Sequence, residues 1–261
     1  MNYPGQKWGI AKKIISYFQE HIIYCEPFFG SGSVFFNKSR CRMEVINDID
    51  DDVVNLFKVI RDQSEELARL IYYTPYSRQE FENCYDRENV SDIERARRFL
   101  TGSFQSLSSS THYRSGWKRT GVLSWHSISK AWAKVHNSIL EAAERLRGVE
   151  IEKKDALELI PQYNCHECLL YLDPPYIHGT RKLYMYNHEF YKTEQHSKLL
   201  CLLLRHKGPV VLSGYDNQLY EDLLVKADGW NKVIIGGRSR NGKVTEECLW
   251  INRCIQQQIT L

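Results

Sequence analysis

Four consecutive residues, Asp173-Pro174-Pro175-Tyr176, concentrate chemistry in one place. They follow the apolar stretch "LLYL" at 169–172. Proline lacks the N–H that a strand ladder needs, so a strand through "LLYL" must stop there. The stop delivers one carboxylate, carbonyl oxygens fixed by two proline rings, and one aromatic ring to the end of a sheet. Hydrogen-bond acceptors and a flat face would therefore meet at one point.

Two further stretches have the same character. "EPFFGSGSVFF" (26–36) reads as a strand end, a turn built on Gly30 and Gly32, and a helix starting at about Ser33. The glycines permit a tight turn and close backbone approach to a ligand. It is neither the three-glycine dinucleotide fingerprint, since Phe35 stands at the third position, nor a P-loop. "NDID" ends a second apolar stretch and places Asp48 at a strand end, where an acid can accept hydrogen bonds from ribose hydroxyls. Asp50, Asp51 and Asp52 read instead as acids at a helix N-terminus.

The elements that must hold these residues alternate. Residues 1–60 carry a βαβ rhythm, which returns at 149 and runs to 261 through "CLLYLDPPY", "TEQHSKLLCLLLRH" and "PVVLSGY". Two strands around Asn241-Gly242, a strong hairpin signal, close the chain. Between them, 61–148 lose the strand pattern and read as helices around a Ser- and Gly-rich loop. An α/β domain in two pieces, with a mainly parallel sheet, a C-terminal antiparallel hairpin and a mostly helical insertion, is expected.

Composition is that of a globular enzyme, with 261 residues, 43% hydrophobic content and a net charge of only +3. No apolar run reaches membrane-spanning length and the N-terminal stretch lacks the apolar core of a signal peptide. The eight cysteines read as reduced thiols of a cytoplasmic protein. Cys165 and Cys168 form a C-x-x-C with no second pair, so no metal site is expected. Charge is uneven, however. From Arg95 to Leu140 there is no Asp or Glu, while Arg95, Arg97, Arg98, Arg114, Lys118, Arg119, Lys130 and Lys134 alternate with Phe104, Tyr113, Trp117, Trp125 and Trp132. That pattern is either a phosphate-backbone surface or a solvated helix face over an aromatic core.

"YPGQKWGIAKKI", "EPFFGSGSVFF", "NDID" and "LDPPY", in that order, resemble the class I S-adenosylmethionine-dependent DNA adenine methyltransferases of the Dam type, or D12 class. The resemblance implies a Rossmann-like class I methyltransferase sheet with a target-recognition insertion. It assigns Tyr3, Lys7 and Trp8 to an N-terminal motif near the methionine part of the cofactor. Glu26, Phe28, Gly30 and Gly32 become the cofactor loop, Asp48 the ribose acid, and Asp155 a polar neighbour of the cofactor's adenine. Asp173, Pro174, Pro175 and Tyr176 become the catalytic motif.

On that reading the Asp173 carboxylate and the Pro174 carbonyl hold the hydrogens of an exocyclic amino group. They localise its lone pair toward the methyl group while the Tyr176 ring stacks on a flipped-out base. Whether Asp173 also takes the proton stays open. The expected substrate is the N6 amino group of adenine in double-stranded DNA. The alternatives are another amino group, on rRNA guanine or N4 of DNA cytosine, or a catalytically silent DNA binder. A covalent cytosine-carbon mechanism is disfavoured because no Pro-Cys pair occurs.

Arg114, Lys118, Arg119, His112 and Asn137 are the candidates for DNA contact. Ser213, Gly214 and Tyr215 end a strand beside the catalytic motif, either lining the base pocket or packing the strand end. A monomer or weak dimer, bacterial or phage-encoded, with a cognate restriction endonuclease as partner, completes the expectation.

Overall fold

A computed structural model describes residues 7–107, 114–121, 127–177, 190, 192–226, 229–238 and 244–252. The chain divides into two compact units. Lys7–Ile49 and the chain from Glu152 onward supply the body of one, and Asp50–Ile151 that of the other.

The first unit is built on a sheet. Its strands are β1 (Ile23–Glu26), β2 (Met43–Asn47), β3 (Glu150–Glu152), β4 (Cys168–Leu172), β5 (Val210–Gly214), β6 (Trp230–Arg238) and β7 (Val244–Asn252), in the order β3-β2-β1-β4-β5-β7-β6. β1 pairs parallel with β2 and β4, β4 pairs parallel with β5, and β7 runs antiparallel to both β5 and β6. Every residue of β4 and β5 is buried. Strands covered on both faces read as unbroken apolar runs, which is why "CLLYL" and "VVLSG" show no alternation. Leu199, Leu200 and Leu203 of α9 (Thr193–Leu204) join the same core as Leu170, Leu172, Val210 and Trp250. Each such side chain contributes roughly 1.5–3 kcal/mol by leaving water. The antiparallel hairpin expected at the C-terminal end is present as β6 and β7, and its turn at Asn241-Gly242 lies outside the described residues.

The helix expected from about Ser33 is not formed. One 3-10 turn, Phe35–Asn37, follows Gly32, and Lys38 is already extended at ψ 155°. The rings of Phe29, Phe35 and Phe36 pack against one another at 5.2–6.2 Å, holding the crossover in a compact aromatic knot. Gly32, at φ +64°, lies inside it, and a Cβ there would stand 2.5 Å from Phe29 Cζ.

The second unit is helical, with α2 (Asp51–Asp62), α3 (Ser64–Tyr73), α4 (Arg78–Asn83), α5 (Asp92–Gln105), α6 (Ile128–Trp132) and α7 (Val135–Leu146). Asp50 caps α2, accepting from Asp52 N–H at 2.9 Å, as the acids at 50–52 suggested. α2 packs on α5 and α7, so its buried face, including Val53, Leu56, Phe57 and Ile60, belongs to this unit. The change of unit falls at Asp50.

Candidate active site

The strand order reverses between β1 and β4, which makes their carboxyl ends a topological switch point. In open α/β sheets the ligand crevice lies there. The Gly30–Gly32 turn follows β1 and Asp173 follows β4, so the two strongest sequence motifs flank this one crevice.

Backbone hydrogen bonding holds the turn after β1. Gly30 is at φ +49°, and its N–H donates to Asp48 Oδ2 at 2.8 Å. Asn47, almost fully buried, does more of the holding. Its carbonyl accepts from Phe29 N–H at 2.9 Å, and its amide donates to the carbonyls of Pro27 (2.9 Å) and Lys154 (3.0 Å). Asn47 Oδ1 accepts in turn from Lys154 N–H at 2.8 Å. Asn47 thus ties the loop after β1 to the segment after β3; the sequence reading passed over it for its acidic neighbour. Asp155 in that segment caps the short helix α8 (Ala156–Leu159), accepting from Leu157 N–H at 2.8 Å. Glu26 is buried beneath the turn, with Tyr24 OH donating to its Oε2 at 2.7 Å. Burial holds the Glu26 carboxyl well above the usual carboxylate range against that hydrogen bond, and the charges of Asp173 and Asp48 push the same way. Phe28 meets Phe190 edge-on at 5.3 Å, and Trp8 lies over Phe36 at 6.4 Å. Tyr3 lies outside the described residues.

The catalytic candidates are assembled by strand register. Leu172 of β4 pairs with Leu212 of β5, so Asp173 and Ser213 come next to each other one step further along. Gly214 of β5 pairs with Cys248 of β7, which brings Glu247 beside Tyr215. Asp173 Oδ1 accepts from Ser213 Oγ–H at 2.9 Å and pairs with Lys7 Nζ at 3.2 Å, and the Tyr176 hydroxyl oxygen lies 3.4 Å away. Among the described residues every donor to this carboxylate reaches Oδ1 and none reaches Oδ2. The Ser213 hydroxyl and the Lys7 ammonium on one oxygen set the plane of the carboxylate and leave the other oxygen as an acceptor.

Lys7 is nearly buried, and its N–H donates to Ser33 Oγ at 3.0 Å, which anchors it to the loop after β1. Its ammonium lies 2.7 Å from Glu247 Oε1 and also donates to Tyr176 OH. Tyr176 OH donates to Glu247 Oε1 at 2.5 Å, and its ring packs 4.4 Å from that of Tyr215. One ammonium against two carboxylates leaves the cluster with one formal negative charge. Glu26 and Asp48 add acids on the neighbouring strand ends. A crevice of this sign suits a cationic ligand. Carboxylates are also the acceptors that ribose hydroxyls and amino groups require.

Glu247 lies on the second strand of the hairpin at Asn241-Gly242, in the stretch 238–252, and is given no role in the readings above. Its signal was an acid directly before the apolar run "CLWI", where burial demands a partner.

In the helical unit Arg114 sits over the Tyr85 ring at 5.4 Å, and Arg119 and Asn137 are exposed. Lys118 is fixed through its backbone, its N–H donating to Gln105 O at 2.7 Å and its carbonyl accepting from Tyr76 OH at 2.6 Å. Arg114, Lys118 and Arg119 share one irregular segment, Asn137 lies on α7, and His112 falls outside the described residues. Three members of the basic run do not form an open patch. Arg95 pairs with Asp52 at 2.6 Å, Arg97 with Glu80 and Glu94 at 2.7 Å each, and Arg98 with Glu94 at 2.6 Å. Nor do Trp117 and Trp132 stand free. Trp132 is buried and donates to Thr74 O at 2.7 Å, and Trp117 donates to Gln105 Oε1 at 3.0 Å.

The strand order and the motifs at its switch point define an α/β class I methyltransferase fold. Residues 3–234 match the D12 class N6 adenine-specific DNA methyltransferases, and the chain belongs to that family. It is 25% identical over 239 residues to the DNA N-6-adenine-methyltransferase of Escherichia phage P1, spanning 84% of this chain but only 30% of that protein. It is 25% identical over 273 residues to the Type II methyltransferase M1.LlaDCHI of Lactococcus lactis subsp. cremoris, spanning 93% of each. Solved structures that align include a precorrin 8W decarboxylase from Methanobacterium thermoautotrophicum (9% identity, TM-score 0.42, 96% of this chain and 92% of that one). Another is a SAM-dependent methyltransferase from Agrobacterium tumefaciens (12% identity, TM-score 0.40, 94% and 59%).

Proposed function

We propose that this protein transfers a methyl group from S-adenosylmethionine to the N6 amino group of adenine in double-stranded DNA. The observation that carries the reading is the Asp173 carboxylate, oriented through Oδ1 by the Ser213 hydroxyl and the Lys7 ammonium, with no donor on Oδ2 among the described residues, at the end of β4 beside the glycine turn. An exocyclic amino group is a weak nucleophile because its lone pair is delocalised into the ring. Asp173 Oδ2 and the Pro174 carbonyl accept its two hydrogens and draw the lone pair out of conjugation. The same acceptors stabilise the positive charge that develops on nitrogen.

The Tyr176 ring, backed by Tyr215, gives the base a stacking face, and the base reaches it by leaving the duplex. S-adenosylmethionine supplies the electrophilic methyl group when bound. Asp48 would hold its ribose, Glu26, Phe28, Gly30 and Gly32 form the loop against it, Tyr3, Lys7 and Trp8 serve its methionine part, and Asp155 is a polar neighbour of its adenine. Arg114, Lys118, Arg119 and Asn137, with His112, supply the DNA contacts. The protein acts as a monomer or weak dimer in the cytoplasm. A role beside a cognate restriction endonuclease is supported by the Type II name of the Lactococcus relative.

The test compares wild type with Asp173→Ala, using labelled S-adenosylmethionine and unmethylated plasmid. The variant is expected to bind the cofactor near wild-type affinity and transfer no label. Transfer by Asp173→Ala at the wild-type rate would refute the assignment.

A further inference from the structure

We infer that Glu247 is a positioning residue of the reaction: it holds Lys7 and the Tyr176 hydroxyl so that Asp173 stays available to the substrate amino group. The inference rests on the methyl-transfer reading and extends it to a residue outside the family motifs described above.

The geometry is unequal in a telling way. Lys7 Nζ lies 2.7 Å from Glu247 Oε1 but 3.2 Å from Asp173 Oδ1. The ammonium therefore belongs first to Glu247 and only second to the catalytic carboxylate. Without the Glu247 charge, the pull of Asp173 on the ammonium is no longer opposed from that side, and the ammonium moves toward Asp173. A close ammonium would draw electron density from Asp173 and compete with the amino hydrogens for its oxygens. Glu247 prevents this by sharing the cation.

The second contact acts on the ring. Tyr176 follows two prolines, so its backbone is stiff at one end, and Glu247 accepts its hydroxyl at 2.5 Å at the other. Held at both ends, the ring keeps its place against Tyr215.

The cost of the arrangement argues that it is used. Glu247 is followed on β7 by Cys248, Leu249, Trp250 and Ile251, none more than 3% exposed, and it is itself 6% exposed. Burying a carboxylate there carries a desolvation cost that its pairing with Lys7 has to offset.

The experiment compares wild type, Glu247→Gln, Lys7→Met and the double variant. Gln keeps an oxygen for the Tyr176 hydroxyl and removes the charge. Cofactor and DNA affinities are measured by titration, and single-turnover methyl transfer is measured at saturation. Glu247→Gln is expected to lower the single-turnover rate on the order of 100-fold, as misplacement of a reacting group does, with both affinities near wild type. Because Glu247 acts through Lys7, the double variant is expected to be no slower than Lys7→Met alone. A folded Glu247→Gln at the wild-type rate overturns the inference. So does a loss confined to cofactor affinity, or a double variant whose loss is the product of the two single losses. If Glu247→Gln fails to fold, the double variant, which removes both charges together, is compared with Lys7→Met, and a slower rate overturns the inference. A wild-type protein that transfers no methyl group would defeat the methyl-transfer reading itself, a result distinct from all of these.

Discussion

Removing the Ser213 hydroxyl tests how Asp173 is aimed. Ser213 Oγ–H makes the shortest of the three contacts to Asp173 Oδ1, at 2.9 Å, and the residue is fully buried. Ser213→Ala deletes one oxygen and nothing else, so no core volume is lost beyond that atom. A hydrogen bond to a charged group is worth about 1.5–3 kcal/mol. At about 1.4 kcal/mol per tenfold change in rate, this bounds the loss at roughly 10- to 150-fold. The Asp173 side chain is 20% exposed, and water can replace part of the lost contact, so the lower end, about tenfold, is expected. The assay is single-turnover methyl transfer at saturating cofactor and DNA, with cofactor affinity and thermal midpoint measured alongside. The expected result is a slower rate with affinity and midpoint near wild type. A folded Ser213→Ala at the wild-type rate would show that the carboxylate is not oriented by this hydrogen bond, and the argument from Oδ1 would fail with it.

Gly32→Ala should lower both the thermal midpoint and cofactor affinity, since φ is +64° and the new Cβ would meet Phe29 Cζ at 2.5 Å; a variant as stable as wild type would contradict this. His21, His196 and His206 are each pushed below the usual histidine value of 6.5, chiefly by burial. At these three sites the folded state therefore binds fewer protons than the unfolded one, while Glu26, held above its usual range, opposes part of the effect. Stability from these groups is present above about pH 6.5 and is lost as pH falls toward the folded values, by at most about 1.4 kcal/mol per pH unit for each histidine. Melting curves between about pH 7.5 and 5 would show this fall, and a flat midpoint would refute it. Arg114→Ala combined with Lys118→Ala should weaken DNA binding and flatten its salt dependence by up to about two counterions, and an unchanged slope would remove that segment from the phosphate interface.

The switch-point end of the sheet was legible because its signals are local punctuation. Two prolines end β4 and two glycines turn the chain after β1, and both effects act within a few residues. The parallel core was legible for the same reason, as "CLLYL" and "VVLSG" are apolar throughout. What depended on distant partners was not. Arg95, Arg97 and Arg98 looked like free positive charge, but Asp52, Glu80 and Glu94, which neutralise them, all precede the acid-free run. Glu247 pairs with Lys7 from the opposite end of the chain, and only the order β5-β7-β6 brings β7 to the site. The missing helix at Ser33 was a different failure. Phe29, Phe35 and Phe36 have ordinary helix-compatible spacing, but their rings find one another instead and the segment closes as a knot. Asn47 was hidden beside Asp48, because a side-chain amide that binds three backbone groups leaves no trace in spacing.

Nucleoside mass spectrometry tests the central claim most directly. Unmethylated plasmid is incubated with the purified protein and S-adenosylmethionine, digested to nucleosides and analysed for methylated bases. N6-methyladenine, absent when Asp173 is replaced by alanine, is the predicted result. Methylated cytosine, or no methylated base from a folded protein that binds the cofactor, would contradict it.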